Sequence, residues 1–292
     1  MARCLVIGVD SALGAPLFRR IEGEGHPVFG TTRRTGPRSQ NSFFLDLSLP
    51  PENWPSFPQI ETAWLMAGWT LQADCKADPS GAHLVNVERL LQLARILAQS
   101  GARLIFPSTS LVFDGQSPAP GPDTPTSPQG AYASQKTEVE RALLELPGQS
   151  CAILRLGKVL TPDLPLLDSW KAALLADQPI EPFADLFIAP LDQASAVEAL
   201  FRLGMCKKTG IFQFCAHDQI SYADIAMRLT RLLGKDPSLV KPVLQREKMK
   251  DSPPPAPFAT LETGGTERVL DMKAPSALDV VDSVLCSFLK MD

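Results

Sequence analysis

What most constrains the fold of this chain is a rhythm in its first half. A short run rich in Val, Ile and Leu, a turn, and a longer segment with helical spacing follow one another repeatedly. Strands buried on both faces read as near-continuous apolar runs, and parallel neighbours need a crossover helix between them. The repetition therefore predicts successive βα units: an α/β fold with a doubly wound parallel sheet covered by helices on both faces. Strands are expected at 3–8, 28–32, 42–45, 62–67, 103–108 and 151–156, and helices at 13–24, 80–100 and 131–146. In the second helix Leu84, Val87, Leu91, Ala94 and Leu97 recur at three- and four-residue spacing and make one apolar stripe. Residues 49–60 carry Pro50, Pro51, Pro55 and Pro58 and cannot hold a full crossover helix, so the sheet's cover is thin there.

After Val159 the rhythm breaks into amphipathic helices, expected at 166–176, 192–203, 221–233 and 276–289, with one apolar strand at 210–215. Two parts result: an α/β domain over 1–158, and a smaller, mainly helical lobe over 159–292 that interleaves with it and is where specificity is expected to lie. Two proline-rich stretches, 116–128 and 252–257, serve as connectors or as lids, and the first lies beside the chemistry described below.

Composition removes several classes of function. A chain of 292 residues with 45% hydrophobic content buries a full core. Its formal charge of -4, with acids and bases intermingled, offers no basic stripe for nucleic acid. No run reaches the ~18 apolar residues of a membrane helix. The apolar run from Cys4 to Val9 is too short and too soon charged for a secretory signal, so a cytoplasmic protein is expected. Six scattered cysteines with no C-x-x-C pair read as reduced core residues, and His26, His83 and His217 share no ligand spacing, so no metal site is expected.

The first strand runs into Gly8-Val9-Asp10-Ser11-Ala12-Leu13-Gly14, a G-x-x-S-x-x-G turn that opens a helix. Glycines let a pyrophosphate approach the backbone, and helix N-terminal N–H groups favour its charge. Such turns also occur as plain connections, and Ser11 takes the place of the middle glycine. At the end of the second strand stands Gly30-Thr31-Thr32-Arg33-Arg34. NAD-binding folds place an acid there for the ribose hydroxyls; here no acid appears, and two guanidiniums suit a 2′-phosphate. NADP(H) is expected in preference to NAD(H), the alternative being that Arg33 and Arg34 decorate a solvated loop.

The third helix opens Tyr132-Ala133-Ser134-Gln135-Lys136, with phenol and ammonium four residues apart on one face. A nearby positive charge draws a tyrosine down from its ordinary ~10, which would make Tyr132 a usable acid or base. The spacing fits a helix-surface pair equally. The preceding strand ends Phe106-Pro107-Ser108-Thr109-Ser110, a hydroxyl cluster at the carboxyl edge of a parallel strand where ligands bind, although Ser and Thr at strand ends also serve as caps.

In order, the glycine turn, Asn86, Ser108-Thr109, Val112-Phe113-Asp114-Gly115, Tyr132 and Lys136 resemble the extended short-chain dehydrogenase/reductases. Within them the chain is most similar to the branch containing dTDP-4-dehydrorhamnose reductase and related sugar-nucleotide-binding proteins. The likeness continues through Asp46-Leu47, Ala67-Gly68-Trp69-Thr70, Arg155 and residues 210–242. It implies a Rossmann-type fold and a catalytic triad of Thr109, Tyr132 and Lys136, with Tyr132 protonating a carbonyl oxygen and Lys136 lowering the phenol's pKa and bonding the nicotinamide ribose. It implies cofactor contacts by Gly8, Ser11, Ala12, Leu13, Gly14, Thr32, Arg33, Arg34, Asp46, Leu47, Ala67, Gly68 and Trp69, with Asn86 on the helix that supports the proton relay. Substrate contacts fall to Thr109, Ser110 and Lys158. Departures from the pattern are Ser11, Ala133 where glycine is frequent, and Gly157-Lys158.

The first function implied is reduction of a keto-sugar carried on a nucleotide. A second is an epimerase or dehydratase that recycles its nicotinamide; dehydratases of this type carry an acid where this chain has Ser110. A third is a cofactor-binding regulatory or scaffold subunit, since the branch resembles the regulatory subunit of methionine adenosyltransferase. A homodimer through the helices at 80–100 and 131–146 is the partner expectation.

Overall fold

The computed structural model describes residues 1–36, 40–148, 150–248 and 255–291; of the second proline-rich stretch, residues 252–254 lie outside them. In chain order the elements are β1 (Cys4–Ile7), α1 (Gly14–Gly23), β2 (Val28–Thr32), β3 (Ser42–Phe44), β4 (Thr62–Leu65), α2 (Gln72–Ala77), α3 (Pro79–His83), α4 (Leu90–Gln99), β5 (Arg103–Thr109), α5 (Ala131–Leu144), β6 (Cys151–Leu156), β7 (Lys158–Leu160), α6 (Pro165–Leu175), β8 (Phe187–Ile188), β9 (Pro190–Asp192), α7 (Gln193–Met205), β10 (Gly210–Phe214), β11 (Ile220–Ser221), α8 (Tyr222–Leu232), α9 (Gln245–Lys248), α10 (Gly264–Leu270) and α11 (Ala277–Phe288).

Seven parallel strands form the main sheet in the order β10-β6-β5-β4-β1-β2-β3. The order reverses between β1 and β4, and a crevice opens at the carboxyl ends of the strands there, the ligand position of doubly wound sheets. Alternate side chains feed two cores. Leu5, Ile7, Leu65, Leu104, Phe106 and Ile153 pack under α4 and α5, while Val6, Trp64, Ile105 and Leu154 pack under α1 and α7. The proline-rich stretch 49–60 yields one 3-10 turn, Pro51–Asn53. Phe57 stands edge-on to Phe43 beside it, ring centroids 5.5 Å apart, and covers the place a helix would have taken.

Beyond residue 158 the chain returns to the sheet. The strand expected at 210–215 is β10, paired with β6 from Gly210↔Ala152 to Phe214↔Leu156, and α7 covers the sheet face that carries Trp64. A separate core is formed by α6, α8 and α11 with the short pairs β7·β9 and β8·β11. Local chemistry sets these helix starts. Asp192 accepts from the Ser195 N–H, and Ser221 with Asp224 makes a reciprocal capping box. Among the described residues no helix is long and apolar enough to cross a membrane.

Gly204 of α7 shows how closely this cover is fitted. A Cβ there would fall 1.9 Å from Cζ2 of Trp64, which is fully buried and donates its indole N–H to the Leu200 carbonyl at 2.9 Å. Gly204→Ala is expected to destabilise the fold by about 1–3 kcal/mol through overpacking, and Trp64→Phe in the same chain is expected to recover part of the loss. Urea unfolding of the two variants checks this; an unchanged midpoint for Gly204→Ala would refute it.

Candidate active site

The cofactor end is built from three loops. At Gly8 the backbone turns with φ +90, and a Cβ there would lie 2.9 Å from both Cα and N of Ala67. The loops after β1 and β4 thus touch, and glycine alone permits it. Gly14 sits under the same turn, where a Cβ would fall 2.2 Å from the Gly8 carbonyl oxygen. Ser11, in the middle-glycine position, folds its side chain inward. Its hydroxyl donates to the Gly8 carbonyl at 2.9 Å and accepts from the Gly14 N–H at 3.0 Å, bracing the turn. The first N–H groups of helix α1 are met by Ser11, that of Gly14 by its hydroxyl and that of Ala15 by its carbonyl, and no acid stands in the first turn to oppose an anion. The glycine cradle and the acid-free first turn of α1 fit a dinucleotide pyrophosphate.

At the end of β2, whose own residues 30–34 carry no acid, the glycine turn brings one in. Asp10, from the glycine turn, accepts a hydrogen bond from the Thr32 hydroxyl. The Thr32 oxygen in turn accepts the Arg34 N–H at 3.0 Å, and Nε of Arg34 lies 3.5 Å from the Asp10 carboxylate. Arg33 and Arg34 are both exposed. The acid escaped detection because it precedes Thr32 by 22 residues, outside any pattern along β2.

The third loop follows β4, where Gly68 adopts φ +154. Asn86 brackets the Trp69 peptide there: its Oδ1 accepts the Trp69 N–H at 2.7 Å and its Nδ2 donates to the Trp69 carbonyl at 3.0 Å. The same Nδ2 donates to Oε1 of Gln135 at 2.8 Å. Asn86 lies in a π-helical stretch, Leu84–Arg89, that interrupts the expected 80–100 helix, and such bulges gather at functional sites. Its amide is engaged in shaping the loop. Gln135 is a site residue that sequence reasoning missed. Its one signal was a polar residue on the face of α5 turned towards α4, and it is 5% exposed. Asp46 accepts from the backbone N–H and hydroxyl of Ser48 in its own turn, and Leu47 is a core residue; neither lines the cleft.

The chemical end lies where β5 meets α5. The Thr109 hydroxyl accepts the Leu111 N–H at 3.2 Å and caps a 3-10 turn at Ser110–Val112. Gly130, at φ +90, precedes α5 and sets Tyr132 in its first turn. Lys136 donates from Nζ to the Pro107 carbonyl at 2.9 Å, with its ammonium 4.3 Å from the Phe106 ring centroid and 5.8 Å from that of Tyr132. Burial pulls Lys136 down to about 8 and pushes Tyr132 up to about 12. This corrects the expectation of a phenol lowered by Lys136. Desolvation of the phenolate outweighs the ammonium, which is turned to the Pro107 carbonyl, so Tyr132 holds its proton and can donate it.

Thr109, Ser110, Tyr132, Lys136, Lys158, Ala67, Gly68, Trp69 and Asn86 all line one cleft of about 630 Å³. Ser11, Ala12 and Leu13 also line it, together with Phe187, Tyr222 and Phe258 of the C-terminal half. Beside it the proline-rich loop 116–128 is pinned by a buried polar network. Arg155 and Glu140 are 2% and 3% exposed and pair at 2.7 Å. Arg155 also donates to the Pro122 carbonyl and to Gln213, whose amide donates to the Pro120 carbonyl at 2.8 Å. Ser117 and Pro120 of this fixed loop border the cleft.

The family model described as RmlD substrate binding domain matches residues 2–288. A dTDP-4-keto-6-deoxy-D-glucose reductase of Streptomyces niveus is 28% identical over 248 residues, 82% of this chain and 82% of the relative. The methionine adenosyltransferase 2 subunit beta of Xenopus tropicalis is 36% identical over 178 residues, 60% of this chain but only 52% of the relative. Among solved structures, a dTDP-4-dehydrorhamnose reductase from Bacillus anthracis in complex with NADP superimposes with a TM-score of 0.80 at 16% identity, covering 100% of both chains.

Proposed function

The chain belongs to the RmlD substrate binding domain family and is an NAD(P)-dependent oxidoreductase of the extended short-chain type, and from that premise we propose that it reduces the keto group of a nucleotide-linked sugar. The observation that carries this reading is the convergence of Thr109, Tyr132 and Lys136 on the same cleft as the glycine turn. A nicotinamide cofactor, when bound, supplies hydride to the carbonyl carbon. The chain supplies the rest. Gly8, Ser11, Ala12, Leu13 and Gly14 cradle the pyrophosphate, and Ala67, Gly68 and Trp69, shaped by Asn86, flank the cofactor's path. Thr109 orients the carbonyl oxygen, and Tyr132 transfers its hydroxyl proton to that oxygen as negative charge develops there. Lys136 holds positive charge beneath the phenol and limits the cost of the phenolate that remains. Lys158 is exposed at the cleft and is available to an anionic part of the substrate. Arg33, with Arg34 held to Asp10, is the cation available to the 2′-phosphate of NADP(H).

The test is calorimetric titration with NADPH and NADH, followed by single-turnover mixing of the loaded protein with 4-keto-6-deoxy nucleotide sugars. Cofactor binding with loss of NADPH absorbance upon mixing supports the reading. Tight cofactor binding without hydride transfer to any such sugar favours a regulatory role like that suggested by the subunit beta relative's name.

A further inference from the structure

We propose that Asp10 is the residue that selects the cofactor at its 2′ position, so that this chain accepts NADH alongside NADPH. The inference rests on the reductase reading above and deepens it. In doubly wound folds the end of the second strand lies beside the adenosine ribose, and an acid there accepts from the ribose hydroxyls and repels a 2′-phosphate. In this chain β2 ends without an acid, yet the position is not left to cations. The glycine turn delivers the Asp10 carboxylate to the Thr32 hydroxyl and to within 3.5 Å of the Arg34 guanidinium.

Three features make this an arrangement with consequences for a ligand. Thr32 is nearly buried and holds Asp10 from one side, while its oxygen takes the Arg34 N–H, so backbone and carboxylate are tied at one point. One hydrogen bond and one ion pair do not exhaust a carboxylate, which offers about four lone-pair directions, and the Asp10 side chain keeps 29% of its surface open. Arg34, at 78% side-chain exposure, has its charge offset by Asp10. Of the two guanidiniums only Arg33 is left unopposed among the described residues, and a 2′-phosphate would meet one cation and one nearby anion. The ribose 2′-hydroxyl of NADH, by contrast, finds an acceptor.

The experiment measures dissociation constants of NADPH and NADH by calorimetry at fixed ionic strength, for the natural chain and for Asp10→Asn. Asparagine keeps an oxygen for the Thr32 hydroxyl and removes the charge. The two affinities of the natural chain are expected to lie within about tenfold of each other; in Asp10→Asn, NADPH is expected to bind at least about tenfold tighter and NADH a few-fold weaker. An equal change in both affinities would mean that Asp10 only braces the turn, and no change in their ratio would leave it no part in selection; either result overturns the inference while the reductase reading stands. Failure of both cofactors to bind the natural chain overturns the two together.

Discussion

Replacing Tyr132 by phenylalanine is expected to lower kcat for carbonyl reduction by about 10²–10⁴-fold while leaving cofactor affinity within about threefold. Desolvation pushes the phenol up to about 12, so the hydroxyl is fully protonated at neutral pH and has one chemical use, donation to a developing oxyanion. Phenylalanine retains the ring and its packing and deletes only the proton. The pH profile carries the companion expectation. Lys136 is pulled down to about 8, so its positive charge is present below that pH and lost as pH rises through it. The rate should therefore fall on the alkaline side with an apparent pKa near 8, with no rise from Tyr132 ionisation anywhere below it. Single-turnover rates across pH 6 to 10 for both chains check this; a Tyr132→Phe variant within a few-fold of the natural rate would remove the phenol from the chemistry.

Glu140→Ala is expected to cost about 3–5 kcal/mol of stability, a fall in Tm on the order of 10 °C. Among the described residues Glu140 is the one carboxylate that bonds Arg155, accepting from its Nε and Nη2, and Arg155 is 2% exposed at the junction of β6, α5 and the loop at 116–128. Removing the acid strands a charge that cannot reach water. The control is the double replacement Glu140→Leu with Arg155→Met, which deletes both charges and keeps volume. It should recover most of the loss, because an apolar pair avoids the desolvation cost that the ion pair carries. It should not restore the loop, whose Pro122 carbonyl accepts from Arg155, so the double variant is expected to fold stably and yet raise KM for the substrate. Thermal melts and steady-state kinetics on the two variants separate these effects. If single and double variants melt together, the ion pair is not the source of the stability.

The parts of this protein that were legible in its sequence are those written in short periods. Near-continuous apolar runs announced β1, β2, β4, β5 and β6, three- and four-residue spacing announced α1, α5, α6, α7, α8 and α11, and prolines announced the missing crossover cover. The glycine turn and the Tyr132-Lys136 pair were visible because each is a local device, one turn or one helical repeat long. Helix α10 escaped for the same reason in reverse: with Gly264 and Gly265 and seven residues, it has too little period to read.

What only the tertiary structure decided were contacts between residues far apart in the chain. Asp10 meets Thr32 across 22 residues, Asn86 meets Gln135 across 49, and Arg155 meets Gln213 across 58. β10 joins the main sheet although α6, earlier in the same half of the chain, belongs to a different core. The sequence by itself determined the fold class, the sheet's apolar layers and the candidate catalytic groups, because backbone periodicity and helix geometry are local. The electrostatic setting of those groups, including the proton held on Tyr132 and the acid beside Arg34, depended on burial and on loops brought together by the sheet. No residue pattern along the chain records that, since desolvation and long-range pairing arise only once the layers have closed.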